Sequence, residues 1–193
     1  MVARGRRSLT DFEQVLLGYI AREPQSGYGL KKRFSATPAS VYQPSPGAMY
    51  PALRRLVARG LLAVEETISR GRREQRLYHA TEAGHAVHLE WLRQPVDPAT
   101  VSASNNLGLH LMRFVMMEGE LDREEVLAFL KGLADALEGF ISGLERYIAA
   151  GAPAHLRLAG LALEHGVAVH QASLDWARSA MVQLAGPGPA DPG

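Results

Sequence analysis

Ser45-Pro46-Gly47-Ala48-Met49-Tyr50-Pro51-Ala52-Leu53-Arg54-Arg55-Leu56-Val57-Ala58-Arg59-Gly60-Leu61-Leu62 is the stretch on which the fold turns. Ser45 is a candidate N-cap, and Pro46 falls at the first helical position, where a missing N–H does no harm. Gly60 is the residue type that ends a helix in a left-handed cap. Between them Met49, Leu53, Leu56 and Val57 recur at helical spacing and form one apolar side. Gly47, Tyr50, Arg54, Arg55 and Ala58 fall on the other side. Such a helix can press its back on a core while its Tyr/Arg front offers donors to a phosphate backbone or to base edges. The competing reading is an ordinary surface helix of a small α domain. Pro51 allows two starts. A helix beginning at Pro46 loses one backbone bond at Pro51 and strains that turn, whereas one beginning near Gly47 or Ala48 holds Pro51 close to its first turn.

The residues that follow favour the DNA reading. Leu61 to Ser69 reads as a short strand rich in Val, Ile and Thr, Arg70-Gly71-Arg72-Arg73 as a basic turn, and Glu74 to Ala80 as a returning strand. Helix, strand, arginine-rich tip and strand form the outline of a winged helix-turn-helix. Its helix enters the major groove, and its wing presses Arg side chains toward phosphates or the minor groove.

Upstream, Thr10 and Glu13 make a capping box, and Phe12, Val15, Leu16, Tyr19 and Ile20 give a first helix its apolar face. Pro24-Gln25 breaks it. Ser26 caps a second, short helix through Phe34, with Leu30 and Phe34 inward and Lys31, Lys32 and Arg33 outward. Residues 1–8 read as a solvated basic tail and 35–44 as a loop. Downstream of the wing, Thr81 caps a helix running to Trp91 and Leu92, and Pro95-Val96-Asp97-Pro98 marks the domain boundary. The expected division is a DNA-binding domain over 1–94 and a helical dimerisation domain over 95–193, with Gly186 onward a Pro/Gly tail.

The second half reads as all helix. One piece spans about Ser104 to Met117. The next starts with Asp122 as N-cap and Glu125 at the capping-box position, and its apolar residues from Val126 to Ile148 step close to a heptad seam. After Gly151, Pro153 starts a last helix whose Leu163, Val167, His170, Leu174, Ala177, Met181 and Leu184 step by 4, 3, 4, 3, 4 and 3. Two long helices joined by a short turn pair antiparallel. A second apolar stripe (Leu158, Leu161, Val169, Trp176) exceeds what one partner helix covers, which points to self-association through Leu163, Val167, Leu174, Met181 and Leu184.

Composition bounds the rest. The chain has 193 residues, 47% hydrophobic and 21% charged, an ordinary core-forming balance with no cysteine. Disulfides, thiolate catalysis and zinc fingers are thereby excluded. No apolar run approaches the ~18 residues of a membrane span, and no signal-peptide core follows the basic start, so a cytoplasmic protein with no membrane partner is expected. The formal net charge of +1 hides a split: residues 1–94 hold 15 Lys and Arg against 8 Asp and Glu, and residues 95–193 hold 6 against 12. A basic module facing a polyanion, joined to an acidic module of other purpose, fits that split, although exposed helices are often charged one way by accident.

Ser26-Gly27-Tyr28-Gly29-Leu30, Ser45-x-Gly47-Ala48-Met49-Tyr50-Pro51-Ala52-Leu53-x-Arg55-Leu56, Gly60-Leu61-Leu62 and Arg76-Leu77-Tyr78-x-Ala80-Thr81-x-x-Gly84 resemble the motifs of the PadR family of bacterial transcription regulators. The likeness extends over nearly the whole chain, and its length resembles the subgroup with the longer C-terminal domain. Ala48, Leu77 and Ala80 depart from residues common in the family. The resemblance implies a mainly α fold with a small β-wing: an N-terminal winged helix-turn-helix and a C-terminal all-α dimerisation domain. It implies a homodimer on a roughly palindromic double-stranded DNA operator, usually repressing, and in some members released by a small molecule. Carried over by position, the DNA-facing residues are Ser26, Tyr28, Lys31, Gln43, Ser45, Gly47, Tyr50 and Arg54, with Arg72, Arg73 and Arg76 from the wing. Tyr28 and Tyr50 are alternatively part of the packing.

Trp91, His110, Phe114, Tyr147 and Trp176 supply aromatic surface for an aromatic or drug-like effector in a cavity between the domains, or else they pack a dimer core. His79, His85 and His88 could be arranged for a metal, but no carboxylate completes a familiar spacing, and no cofactor or metal is expected. With no phosphate loop or nucleophile elbow, an enzyme is disfavoured. The rival class is a protein-interaction module that uses the winged fold as a scaffold.

Overall fold

The computed structural model describes residues 8–36, 46–68, 74–102, 104–151 and 156–186, and forms two compact units, Met1–Leu92 and Arg93–Gly193. The chain is mainly helical with one small antiparallel sheet. In the first unit α1 (Asp11–Arg22) begins with the capping box expected at Thr10: the Thr10 side chain accepts from Glu13 N–H while the Glu13 carboxylate accepts from Thr10 N–H. β1 (Gln25–Ser26) and α2 (Gly27–Ala36) follow, then α3 (Pro46–Ala58), β2 (Leu62–Ile68), β3 (Glu74–Ala80) and α4 (Glu82–Arg93). The strand order is β1-β3-β2, with Leu62 opposite Ala80, Ile68 opposite Glu74, and Gln25 opposite Tyr78. The two-residue β1, at the position read as a simple break, exists only because the edge of β3 pairs with it.

The start of α3 at Pro46 decides between the two helix starts: Pro51 lies inside the helix, and the Gly47 carbonyl loses its i+4 donor. Gly47 is exposed, so solvent can compensate that carbonyl. The exit is as expected from Gly60. Its φ is 71°, its N–H donates to Val57 O at 2.9 Å, and Leu61 N–H donates to Leu56 O at 3.0 Å, which is a Schellman cap. Leu16, Leu17, Ile20, Leu30, Leu53, Leu56 and Leu92 are fully buried in this unit.

In the second unit a short 3₁₀ turn (Pro98–Ser102) precedes α5 (Ser104–Met116), α6 (Arg123–Ala149) and α7 (Arg157–Ala185). Asp122 and Glu125 form the expected capping box of α6. α6 and α7 pack antiparallel: Arg178 pairs with Glu138 at 3.2 Å, the tilted rings of Phe140 and His170 lie 4.5 Å apart between centroids, and Arg123 donates to Ala185 O. The 3₁₀ turn, which follows directly on the expected break and shares Pro98 with it, buries Val101, whose carbonyl lies 2.9 Å from His170 Nε2. His170 belonged to the apolar seam in sequence; here it is buried with both ring nitrogens against carbonyls. Among the described residues no helix is long and apolar enough to cross a membrane.

Candidate nucleic-acid interface

Most of the described residues expected to face DNA lie at two helix starts and along one helix face. Ser26 Oγ accepts from Gly29 N–H at 3.0 Å and so caps α2, which occupies that oxygen locally and makes Ser26 a shaping residue. From that cap Tyr28 projects at 71% exposure, and Lys31, Lys32 and Arg33 are exposed in the next turn. On α3, Gly47, Tyr50 and Arg54 occupy positions i, i+3 and i+7 and are exposed, while Met49, Ala52, Leu53 and Leu56 are buried. Tyr50 is 53% exposed, so its ring stands outside the core. Gly27 is where α2 and α3 touch: a Cβ there would lie 2.8 Å from Tyr50 Cε1. The glycine therefore admits the tyrosine ring against the start of α2.

The remaining arginine of the α3 front behaves differently. Arg55 Nε donates to Glu13 Oε1 at 2.6 Å, and the Glu13 side chain is only 5% exposed. Burial raises the Glu13 pKa, but the hydrogen bonds from Thr10 and Arg55 outweigh it and hold the carboxyl below the ordinary value. One carboxylate thus closes the α1 cap and tethers α3. Sequence reading found the cap, at a separation of three residues, and missed the tether, 42 residues away.

The wing is more balanced in charge than its arginines imply. Arg76 lies across the β2–β3 ladder from Glu66 and pairs with it at 3.7 Å, both exposed. An exposed pair of this length is weak, so Arg76 stays free to exchange Glu66 for a phosphate. His79 pairs with Glu65 at 3.0 Å. His88 is fully buried, and burial first, then the charges of His85 and Arg22, push its pKa down to about 4. Among the described residues no three metal-binding side chains gather. Gln43, Ser45, Arg72 and Arg73 lie outside the described residues.

The five aromatic candidates separate. His110 and Trp176 share a cleft of about 300 Å³ inside the helical unit, and Phe114 meets Trp176 edge-on at 5.3 Å. Tyr147 is exposed on α6 away from the cleft lining, and Trp91 is buried in the first unit. Of the dimerisation candidates, Leu174 is taken into the chain's own core beside Ala177, because α6 packs on that face of α7; it offers nothing to a second copy. Leu163, Val167 and Met181 are half-buried and Leu184 is exposed.

A three-helix core with a β-hairpin, followed by a helical unit, defines a winged-helix protein. Residues 16–90 match the model of the Transcriptional regulator PadR-like family. A 49-residue stretch is 49% identical to the transcriptional regulator Rv3488 of Mycobacterium tuberculosis, covering 25% of this chain and 45% of that relative. Among solved structures, the chain is similar to Bacillus subtilis PadR in complex with operator DNA at 18% identity, with 91% of this chain and 99% of that one covered and a TM-score of 0.45. It is also similar to B. subtilis PadR bound to p-coumaric acid (16% identity, 92% and 97% covered, TM-score 0.41). A third is the PadR-like regulator BC1756 of Bacillus cereus (20% identity, 89% and 96% covered, TM-score 0.39).

Proposed function

We propose that this chain is a sequence-specific DNA-binding regulator of the cytoplasm, a homodimeric repressor that sets α3 in successive major grooves of a palindromic operator and answers to a small effector. The observation that carries the reading is the exposed Gly47, Tyr50 and Arg54 face on a helix whose opposite side buries Met49, Ala52, Leu53 and Leu56, with Tyr28 and Lys31 exposed at the start of the preceding helix. Base-edge contacts from Tyr50 and Arg54 supply specificity; Lys31, Arg72, Arg73 and Arg76 supply phosphate contacts and a steep salt dependence. The cleft beside Trp176 is the effector candidate.

A gel shift with the gene's own upstream duplex and a scrambled duplex tests this. Arg72→Ala and Arg73→Ala weaken both duplexes alike, whereas Tyr50→Ala and Arg54→Ala lose more on the upstream duplex, each narrowing the preference about tenfold. Equal losses on both duplexes for all four variants, or no salt-sensitive shift at all, would leave the scaffold reading in place.

A further inference from the structure

We propose that the cleft among α5, α6 and α7 binds a neutral, planar aromatic molecule that carries a hydrogen-bond donor, of the phenol or indole class. This deepens the effector reading by fixing the ligand's charge and polarity. Leu107, Leu111 and Leu133 give the cleft apolar walls, Trp176 gives it an aromatic one, and the polar lining comes from His110 and Ser173. Its volume of about 300 Å³ lies at the lower end of the range for small-ligand sites.

The ligand's polarity follows from where the protons must be. Thr100 Oγ1 donates its single proton to Asp97 O at 2.6 Å, yet it also lies 2.9 Å from His110 Nε2. With its proton already given, that hydroxyl can only accept, so His110 Nε2 carries the hydrogen. Burial, and after it the Arg113 charge, hold the His110 pKa below the ordinary value, which leaves the ring neutral and Nδ1 a bare lone pair. Ser173 repeats the pattern: Oγ donates to Val169 O at 3.1 Å, so toward the cleft it accepts. Both polar groups of the lining therefore want a donor. Among the described residues no carboxylate lines the cleft to welcome a cation. An anion would face two lone pairs, because the Arg113 guanidinium is engaged with Gln94 O and the Phe129 ring, 4.9 Å away, and does not line the cleft.

The test is calorimetry on the full chain without DNA, using indole, its oxygen isostere benzofuran, and indole-2-carboxylate. Indole binds; benzofuran binds about tenfold more weakly, since it leaves a buried acceptor unmet; the carboxylate binds more weakly still. His110→Leu narrows the gap between indole and benzofuran, leaving Ser173 as the remaining acceptor. Ala172→Trp, at an exposed position on the cleft wall, blocks both probes while leaving the His110 network and the circular dichroism melt intact. The proposal is overturned by a carboxylate that binds as well as indole, by benzofuran matching indole, by no probe binding, or by indole binding that survives Ala172→Trp. Because no DNA is present, failure of sequence-specific DNA binding would leave this result standing. Release of the upstream duplex by indole would then join the two readings.

Discussion

Gly84 shows what a single missing Cβ does here. It is buried near the start of α4, and a Cβ built on it would fall 2.1 Å from the Leu61 carbonyl oxygen. That carbonyl also accepts from Thr81 N–H at 3.1 Å, and Thr81 Oγ1 caps α4 through Gly84 N–H at 3.0 Å, so backbone holds backbone on both sides and neither can yield cheaply. Gly84→Ala should cost about 3 kcal/mol and lower the melting temperature by roughly 6–12 °C; a shift below 2 °C would show that α4 slides freely. His88 poses a different residue-scale problem: it is fully buried, and neither ring nitrogen finds a hydrogen-bond partner. With its pKa pushed down to about 4, the folded chain resists a proton that the unfolded chain accepts near 6.5. Stability is therefore undiminished above pH 7 and falls as the pH drops from about 6.5 toward 4, by about 2–3 kcal/mol between pH 7.5 and 4.5. His88→Leu removes this loss and, by discarding two orphaned nitrogens, keeps or raises stability at pH 7.5. Urea melts at the two pH values decide it: wild-type and variant lines that fall in parallel would refute the assignment.

At the scale of elements, α3 is held by more than its apolar back. The Glu13–Arg55 contact joins it to the capped start of α1, and the partners differ in burial: the Glu13 side chain is 5% exposed, that of Arg55 55%. Discounting for solvent on the arginine side, a Glu13→Gln and Arg55→Met double-mutant cycle should return a coupling of about 1 kcal/mol at pH 7. The depressed Glu13 carboxyl makes that coupling complete above the ordinary value of 4.5 and lets it fade as the pH drops below. A cycle that closes at zero at pH 7 would mean the two side chains merely lie side by side. This contact marks the limit of what the sequence discloses. Local chemistry was legible: the Thr10–Glu13 and Asp122–Glu125 capping boxes, the Gly60 exit and the amphipathic division of α3 all follow from residues within one or two turns. What depended on distant neighbours was not. β1 needs β3 as a partner, and the 3₁₀ turn over Pro98–Ser102 is held by Val101 burying itself. Leu174 fits a dimer seam by spacing and is claimed by the chain's own core. In the candidate site, exposure of Gly47, Tyr50 and Arg54 follows from periodicity. The cross-strand pairing of Arg76 with Glu66 needed the β2–β3 register, and the separation of the five aromatics needed the packing of the helical unit.

For the molecule as a whole, the split of charge and the unused apolar surface point the same way. The basic half meets a polyanion best when two copies act together, because the second half-site then binds at the effective concentration set by the dimer rather than that of free protein. α7 supplies surface for such pairing: after α6 has covered Leu174 and Ala177, Leu158 remains 80% exposed and Leu161 52% exposed, near the half-buried Leu163 and Val167. Each Leu buried in an interface is worth up to about 1.5–3 kcal/mol, so replacing both exposed leucines with Asp should weaken self-association by at least a hundredfold. Leu158→Asp with Leu161→Asp should therefore elute as a monomer at micromolar concentration, keep its helical circular dichroism, and bind the upstream duplex more than tenfold more weakly than wild type. The salt dependence discriminates further. Slopes of log affinity against log salt count the phosphates engaged, so a protein that places two subunits on one duplex should lose about half its slope on becoming monomeric. A variant that stays dimeric with an unchanged slope would move the interface to another face. One that becomes monomeric yet keeps the full slope would mean that a single copy already makes every phosphate contact, and the two-groove arrangement would have to be given up.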